Sequence, residues 1–441
     1  MRNHIPATFR RILGFTLSAL FLPTAQAVDI QRWHTPEGTQ VLLVSRHENP
    51  IVDIQIDFKG AGSAVSGKDG SEVAEFTAAL LADGTRKLDE EAFNARINEL
   101  AAEVASGTGG ESAYIRLRSL SNRQNLQPAV QLVNQALTQP RFAPEVFKRR
   151  QRQSITALKQ NETDAGFIAG RAVTLLNYPD HPYGASAKTN EAGIAKVGLG
   201  DIRNFHRSRY GKNNAVVAVV GDLNRRQTEI LVTKVLNGLP DKAAVTTAVP
   251  AVPPHQARQQ NIPFAGEQAQ IALSLPLITR DDPDYYALIV GNYILGGGGF
   301  DSRLMKVLRD QHGYTYGASS SLSPATQAGP LTIGFSTKKA STNEALAAAR
   351  KVVAEFIEQG PTEAELQQAK DNLIGGFPLR FDTNAKLLGY LSVIGVYDLP
   401  ENWLDNYPKE VAALTAADIR SVWQRRVKPE DFNVVVVGAE K

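Results

Sequence analysis

The side chains that most often carry chemistry are sparse in this chain of 441 residues. It has no cysteine, so no thiol can act as a nucleophile, and no G-x-S-x-G segment offers an activated serine. The seven histidines are His4, His34, His47, His181, His206, His255 and His312. No two of them lie three or four residues apart, so no single helix presents a pair of imidazoles to zinc. A zinc site would have to be assembled from scattered residues.

One segment comes close to a phosphate-binding loop. Residues 62–69 read GSAVSGKD, compared with the pattern G-x-x-x-x-G-K-[ST]. Asp69 replaces the hydroxyl that would coordinate Mg²⁺, and an anion beside Lys68 would repel phosphate. We therefore interpret the segment as a flexible connection between a strand and a helix.

Strands and helices interleave along the chain. In the first half, hydrophobic periodicity predicts strands at 39–45, 52–60, 112–120 and 214–221 and helices at 71–83, 89–104, 126–138 and 143–177. In the second half it predicts strands near 269–276, 316–323, 330–338 and 432–438 and helices near 282–295, 300–311, 342–358, 362–374 and 403–412. Ser341-x-x-Glu344 and Thr362-x-x-Glu365 predict capping boxes at the start of two helices. Each half is therefore predicted to be an α+β layer.

The two halves repeat each other weakly. Asp-Ile-Arg occurs at 201–203 and at 418–420, and Val-Val-Gly at 219–221 and at 436–438, both at an offset of 418 − 201 = 217 residues. Between the halves, 241–261 has three prolines and no periodicity, which is typical of a semi-extended linker. We predict a signal peptide at 1–27, an N-terminal domain at 28–240, the linker at 241–261 and a C-terminal domain at 262–441.

The first 27 residues have the order of a secretory signal. A basic stretch with Arg2, Arg10 and Arg11 precedes the apolar residues 12–22, and Ala25-Gln26-Ala27 is an A-x-A cleavage site. The mature chain is expected to begin at Val28 and to be periplasmic. Without the three arginines it has 48 − 3 = 45 basic and 45 acidic residues, which gives no electrostatic basis for binding nucleic acid. No later run is long and apolar enough to insert into a membrane.

Residues 70–104 resemble the first helices of the insulinase/pitrilysin, or processing-peptidase-like, metallopeptidases. In that family an H-x-x-E-H helix binds zinc through two histidines, and its glutamate activates water. Aligned on the Gly84-Thr85 that follows, the histidine positions fall on Glu75 and Ala79 and the glutamate position on Ala78. The third ligand, roughly 75 residues later, falls within 150–156, where there is no carboxylate. We interpret Glu75 as a solvated helix residue and expect no metal in this chain.

The second half is more similar to the family. Residues 295–321, LGGGGFDSRLMKVLRDQHGYTYGASSS, resemble its C-terminal signature of a glycine-rich loop, Ser-Arg-Leu, and an arginine seven residues before a tyrosine. That pair is Arg309 and Tyr316 here, and the resemblance implies that both hold the substrate backbone and the developing oxyanion. Both side chains are hydrogen-bond donors, as an oxyanion requires. The glycine-rich stretch 296–299 is expected to be a mobile loop.

The resemblance implies a definite architecture. It predicts an α+β fold of two homologous domains, each a mixed sheet backed by helices, joined by the linker into a clam-like shell. The implied function is that of a non-catalytic subunit, inactive alone, that pairs with a zinc-bearing homologous peptidase and supplies Arg309 and Tyr316 to peptide hydrolysis. Zinc is then expected only in the partner. The alternatives are a peptide-binding or scaffold protein without a catalytic role and an autonomous zinc peptidase with unusual ligands.

Overall fold

The computed structural model describes residues 28–67, 70–254 and 256–438. The predicted signal peptide, Lys68, Asp69 and His255 lie outside the described residues. Within the described ranges, none of the helices has the length and apolarity needed to cross a membrane.

The first half is built on a six-stranded mixed sheet. Its strands are β1 (Gln31–His34), β2 (Gln40–Ser45), β3 (Ile51–Lys59), β4 (Glu103–Thr108), β5 (Ser112–Leu120) and β6 (Ala215–Gly221). Their order is β1-β2-β6-β3-β5-β4, with β2 and β6 parallel and the other pairs antiparallel. The valine-rich β6 lies near the centre and is buried along its whole length, as expected for a strand covered on both faces.

The second half repeats this sheet with five strands. They are β7 (Gln259–Ile262), β8 (Gln268–Ile278), β9 (Ala318–Leu322), β10 (Gly329–Lys338) and β11 (Asn433–Val437), in the order β7-β11-β8-β10-β9. Only β7 and β11 are parallel among these pairs. The predicted linker, 241–261, has no helix or strand among its described residues up to 258, but 259–261 belong to β7.

Fifteen α-helices surround the sheets in the described part of the chain. Those of the first half are α1 (Ser71–Leu81), α2 (Glu90–Glu99), α3 (Arg123–Thr138), α4 (Pro144–Asn161), α5 (Ala165–Asn177), α6 (Glu191–Lys196), α7 (Leu199–Arg209) and α8 (Arg225–Leu236). Those of the second half are α9 (Tyr285–Asn292), α10 (Arg303–Met305), α11 (Thr342–Gln359), α12 (Glu363–Gly375), α13 (Asn384–Val396), α14 (Trp403–Ala413) and α15 (Ala416–Arg426). π-Helical turns at Tyr293–Gly297 and Lys306–Gln311 extend α9 and α10.

The offset of 217 residues holds for whole elements. Strands β5 and β10 begin at 112 and 329, and helices α7 and α15 begin at 199 and 416, so both differences are 217. The strand order is also the same once β2, β6, β3, β5 and β4 are matched with β7, β11, β8, β10 and β9. Two related α+β halves, each a mixed sheet backed by helices, are therefore present, and the predicted fold class is confirmed.

Each half covers part of its sheet with a helix from the other half. Helix α5 packs on β8 and β11, and α13 packs on β6, β3 and β2. The contact of α13 is close because of Gly395, where a Cβ atom would come within 2.4 Å of Val216 and 2.7 Å of Leu42. Helices α5 and α13 occupy equivalent positions in the repeat. Each half therefore places the same helix on the sheet of the other half, and we call this a reciprocal exchange.

Buried polar groups lie at both exchanged contacts. Ser392 of α13 donates its hydroxyl to Asp57 at 2.7 Å, and Gln55 donates its amide to both oxygens of Asp57 at 2.8 and 2.9 Å. Across the repeat, Asn177 of α5 donates to the Ser274 hydroxyl at 2.8 Å. Asp57 and Ser274 are equivalent positions, since 274 − 57 = 217. Polar partners at these positions fix where each helix sits on the opposite sheet.

Several predicted boundaries were wrong. The predicted helix 89–104 ends at Glu99 because Ala101 has a left-handed backbone (φ 48°), and β4 follows it. The predicted helix 143–177 is two helices, because the chain turns after Asn161 and Asp164 caps α5 by accepting from the Phe167 amide at 2.7 Å. The two predicted capping boxes also differ, as Thr362 forms one and Ser341 makes no side-chain cap.

Candidate functional site

Helix α1 carries the positions of the missing zinc motif. Most of its side chains are buried, and Phe76 packs edge-on against Phe147 of α4 at 5.4 Å between ring centroids. Ala78 is 0% exposed, and its carbonyl accepts the Ser106 hydroxyl of β4 at 2.7 Å. The position of the family's catalytic glutamate is thus closed inside the packing between α1 and β4, while Ala79 is half-buried.

Glu75 projects from the open side of α1. Its side chain is exposed, as predicted, and makes no hydrogen bond or ion pair with the residues the structure describes. Even so, the surrounding protein replaces part of its hydration, and this desolvation, with the nearby charge of Glu72, raises the pKa of the Glu75 carboxyl. The carboxylate is therefore an unpaired acid at the mouth of a cleft rather than a freely solvated one.

The cleft is a cavity of about 600 Å³. Leu158, Ile194 and Phe167 supply its apolar wall, and hydroxyl groups line it from Ser154, Thr174, Ser186 and Thr189. Ser154 belongs to the 150–156 segment assigned to the third zinc ligand, so the fold does bring that segment and Glu75 to one cavity. Between 28 and 438, within the described ranges, no three His, Asp or Glu side chains are grouped to hold a metal ion.

Two arginines of the helices that form this cavity, Arg150 of α4 and Arg171 of α5, have structural partners. Arg150, in the same segment, donates to the buried Asp83 at the end of α1, with one contact of 2.5 Å. Arg171 donates to the carbonyls of Ala187 at 3.1 Å and Thr189 at 2.6 Å, so it fixes the 186–189 wall. Neither guanidinium is left to neutralise Glu75.

The second-half signature divides into a packed part and an exposed part. Ser302 is buried and donates to the Gly299 carbonyl at 2.7 Å, Arg303 forms a bidentate pair with Glu365 at 2.8 and 2.7 Å, and Leu304 is fully buried. Burial raises the pKa of Glu365, but the hydrogen bonds and charge of Arg303 together with the hydrogen bonds of Thr362 outweigh it and lower the pKa to about 2. The Ser-Arg-Leu sequence is therefore explained by packing.

The exposed part consists of Phe300, Arg309 and Tyr316. Tyr316 is 87% exposed and Phe300 69% exposed, and the Arg309 guanidinium lies 4.7 Å from the centre of the Phe300 ring. We call these three side chains the aromatic–arginine patch. The lining of the Glu75 cavity comes from the first half, so the structure does not bring Arg309 and Tyr316 into that cavity.

The glycine-rich stretch is closely packed at two of its four glycines. A Cβ atom at Gly296 would lie 2.6 Å from the Ser320 amide, and one at Gly298 would lie 2.9 Å from Tyr293. Glycine is therefore needed for a tight turn at Gly296 and Gly298, whereas a Cβ atom at Gly299 would meet nothing within 4 Å. The mobility of 296–299 stays a prediction. The segment that resembles a phosphate-binding loop also has backbone amides that are already hydrogen-bonded. The amides of Ser63 and Ala64 donate to the carbonyls of Gly109 and Gly110 at 3.1 and 2.7 Å.

Comparisons with known proteins identify the family to which the chain belongs. Residues 196–373 match the family described as peptidase M16 inactive domain. The crystal structure of a peptidase M16 inactive domain from Pseudomonas fluorescens superimposes with a TM-score of 0.89 and 30% identity, covering 94% of this chain and 98% of that one. The chain belongs to the peptidase M16 family. The resemblance to insulinase-like peptidases is thereby confirmed.

Two further relatives come from Helicobacter pylori and carry different descriptions. The "non-peptidase homolog YmxG" of Helicobacter pylori is 26% identical over 403 residues, which cover 91% of this chain and 92% of the relative. The crystal structure of a protease from Helicobacter pylori shares the fold, with a TM-score of 0.83 at 19% identity, covering 93% and 99% of the two chains. This M16 protein is therefore similar to members described as inactive or as non-peptidase homologues.

Most residues that line the Glu75 cavity were not predicted from the sequence. Phe167 and Arg171 lie on α5, about 90 residues after α1, and Ser186 lies in a short 3₁₀ turn. Asp164 was the one local sequence signal for α5, because aspartate is a preferred N-cap residue and predicts that a new helix begins there.

Proposed function

We propose that this M16 protein is a non-catalytic subunit that pairs with a zinc-bearing relative and lines a shared peptide chamber with it. The observation that carries the proposal is the aromatic–arginine patch. The neighbouring Ser302, Arg303 and Leu304 are used in packing, whereas Phe300, Arg309 and Tyr316 point away from the core. Large exposed aromatic side chains, and an arginine stacked on one of them, are typical of surfaces that bind a partner or substrate.

The chemistry of the patch supports a role in holding peptide. A tyrosine hydroxyl and a guanidinium both donate hydrogen bonds, and neither needs a metal to do so. Stacking on Phe300 limits the orientations of Arg309, which lowers the entropy lost when it binds a carbonyl or carboxylate. Glu75, Ala78 and Ala79 supply no ligand set or base, so the hydrolytic step has to come from the partner.

The predicted signal sequence supports a periplasmic location for the complex. An exported partner with an intact H-x-x-E-H helix would meet the mature chain there. The intact mass of the protein recovered from the periplasm tests this part alone, and a mass that still includes residues 1–27 would contradict it.

Co-expression with a zinc-bearing M16 relative from the same genome tests the pairing. We expect the two chains to co-elute in size-exclusion chromatography at micromolar concentration, with about one zinc per heterodimer, and this chain alone to elute without zinc and cleave no peptide. One tightly bound zinc in the isolated chain would instead support the autonomous peptidase. Failure to co-elute with any such relative would overturn the proposed pairing.

The Glu75 cavity favours a second candidate, a peptide-binding protein without a catalytic partner. This cavity has an unpaired carboxylate, an apolar wall and several hydroxyl groups, all supplied by one half of the protein. Such a lining can bind a segment of an extended peptide. A fluorescent peptide library applied to the isolated chain tests this candidate, with Glu75→Gln as the variant and Glu191→Gln as a nearby exposed control. Binding that Glu75→Gln weakens and the control does not would favour it over the subunit.

A further inference from the structure

The first described residues of the chain lie on the second half. Ile30 is 6% exposed within a hydrophobic core that includes α13 and α14. The Arg32 guanidinium donates to the Leu399 carbonyl and lies 3.3 Å from Asp398 and 3.8 Å from Glu401. Residues 28–32, which we call the N-terminal strap, therefore connect the start of the first half to the loop before α14.

The strap begins with a contact to a carboxylate. The backbone nitrogen of Val28 lies 3.4 Å from Oδ1 of Asp405, in the first turn of α14. Within the described residues no other donor hydrogen-bonds to Asp405. An amide has one N–H and no charge, so at this distance it satisfies the carboxylate poorly.

Val28 is also the residue at which the mature chain is predicted to begin. We propose that removal of residues 1–27 creates the group that Asp405 binds, so that the α-ammonium of Val28 forms an ion pair with the Asp405 carboxylate and fastens the N-terminal strap to the second half. A signal peptidase adds one water across the Ala27–Val28 peptide bond. The water oxygen goes to the Ala27 carbonyl carbon, which leaves as a carboxylate, and both water protons go to the Val28 nitrogen, which becomes an ammonium with three donors.

The surroundings of Val28 can accommodate a new charge. Val28 lines an open cavity of about 600 Å³ together with Asp29, Glu48 and Asp382, and with Arg46 and Arg118. Both arginines already have partners, because Arg118 forms a bidentate pair with Asp53 and Arg46 donates to the Phe381 and Asp382 carbonyls. Lys386 pairs with Asp382. Carbonyls do not cancel the charge of Arg46, but Asp29, Glu48 and Asp405 outnumber it, so the surroundings of the ammonium are mainly acidic. Ionic N–H···O contacts are typically ~2.7–2.9 Å, so the contact with Asp405 is expected to shorten.

Chains with a defined first residue test the proposal independently of export. One form is released from a ubiquitin-like fusion so that it begins at Val28, and a second retains Ala25-Gln26-Ala27 before it. In the Val28 form we expect the α-amino pKa, measured by NMR, to lie about one pH unit above the ~7.7–8.0 of a free α-amine. Asp405→Asn should return it to that range, and Glu410→Gln, on the exposed side of the same helix, should not.

Hydrogen exchange of residues 28–34 gives the structural readout. We expect exchange to be about fivefold slower in the Val28 form than in the extended form, since one ion pair of this kind contributes ~1 kcal/mol. Asp405→Asn should remove this difference between the two forms. Equal protection of both forms with Asp405 present, or an unshifted α-amino pKa, would overturn the ion pair even if export and cleavage occur as predicted.

Discussion

Tyr316 and Arg309 stand apart from the other residues of the second-half signature because packing does not explain them. Arg303, one turn and a half earlier in the chain, is held by Glu365 and by the Gly360 carbonyl. Arg309 has instead an exposed aromatic ring as its neighbour. At this scale, function can be separated from stability by substitution.

Tyr316→Phe and Arg309→Lys should reduce the turnover of the complex with its zinc-bearing partner. Removing one hydroxyl that donates to an oxyanion typically costs ~10²–10³ in turnover, and Lys loses the planar fork of Arg. Because Tyr316 is 87% exposed, neither variant should change the melting temperature appreciably. Tyr314→Phe, a half-buried tyrosine stacked on His312, is the control and should keep full turnover. Unchanged turnover in both variants would show that the aromatic–arginine patch is not a substrate site.

Among the helices and strands, α13 depends most on a close approach to the sheet of the first half. It carries two glycines in different surroundings: a Cβ atom at Gly395 would meet Val216 and Leu42, whereas nothing lies within 4 Å of one at Gly389. Substituting each of these two glycines by alanine separates the effect of helix propensity from the effect of packing between the halves.

Gly395→Ala should destabilise the protein and Gly389→Ala should not. Overpacking a well-filled contact costs about 1–3 kcal/mol, whereas alanine replacing glycine within a helix contributes about 0.5–1 kcal/mol of stability. Urea unfolding of both variants measures the difference. If Gly395→Ala were as stable as Gly389→Ala, α13 would not be tightly packed on the first sheet.

The sequence predicted strands better than helices, for physical reasons. Runs such as AVVAVVG are buried on both faces and keep a continuous apolar pattern, so β6 and β11 were found. Helix α13 was missed because it is apolar nearly all around and contains glycine, which leaves no 3.6-residue period. The edge strand β4, whose exposed residues are Glu103 and Ala105, also lacks a strong signal.

The candidate site was predictable only in part. Glu75, Ala78 and Ala79 follow from the spacing of a motif on one helix. The other walls of the cavity come from α4, α5 and the 186–189 turn, which no local pattern connects to α1. Whether a given arginine is paired depends on distant residues, as Arg150 with Asp83 shows.

At the scale of the whole molecule, the two halves meet through ionisable groups as well as apolar ones. Asp57 is 2% exposed between β3 and α13, and Arg116 contacts Gln55 beside it. Burial raises the pKa of Asp57 from 3.8 to about 6, although the hydrogen bonds from Ser392 and Gln55 and the charge of Arg116 oppose the rise.

The free energy of unfolding should therefore depend on pH through Asp57. The folded state binds this proton more tightly than the unfolded state, so the contribution is fully present below about pH 3.8 and is lost as the pH rises through about 6. With 6 − 3.8 = 2.2 pKa units at 1.36 kcal/mol each, the loss is about 3 kcal/mol.

Asp57→Asn should remove this pH-dependent loss. Urea unfolding at pH 4 and pH 7 is the measurement, and the variant should lose less stability than the parent on going to pH 7. Asp53→Asn, two residues away, breaks the bidentate pair with Arg118 and should weaken the protein at pH 7. A parent and an Asp57→Asn variant with the same pH dependence would contradict the role given to Asp57.

The reciprocal exchange of α5 and α13 also bears on how such a chain could arise. An interface in which each copy gives the same helix to the same surface of the other is the interface of a two-fold symmetric homodimer. Joining two such copies head to tail gives one chain with the 217-residue repeat seen here. Once joined, the copies no longer have to change together, so one could keep an exposed Arg309 and Tyr316 while the equivalent surface of the other diverged. Duplication followed by fusion would thus turn a symmetric dimer into a single asymmetric chain, with the old dimer contact preserved as its interior.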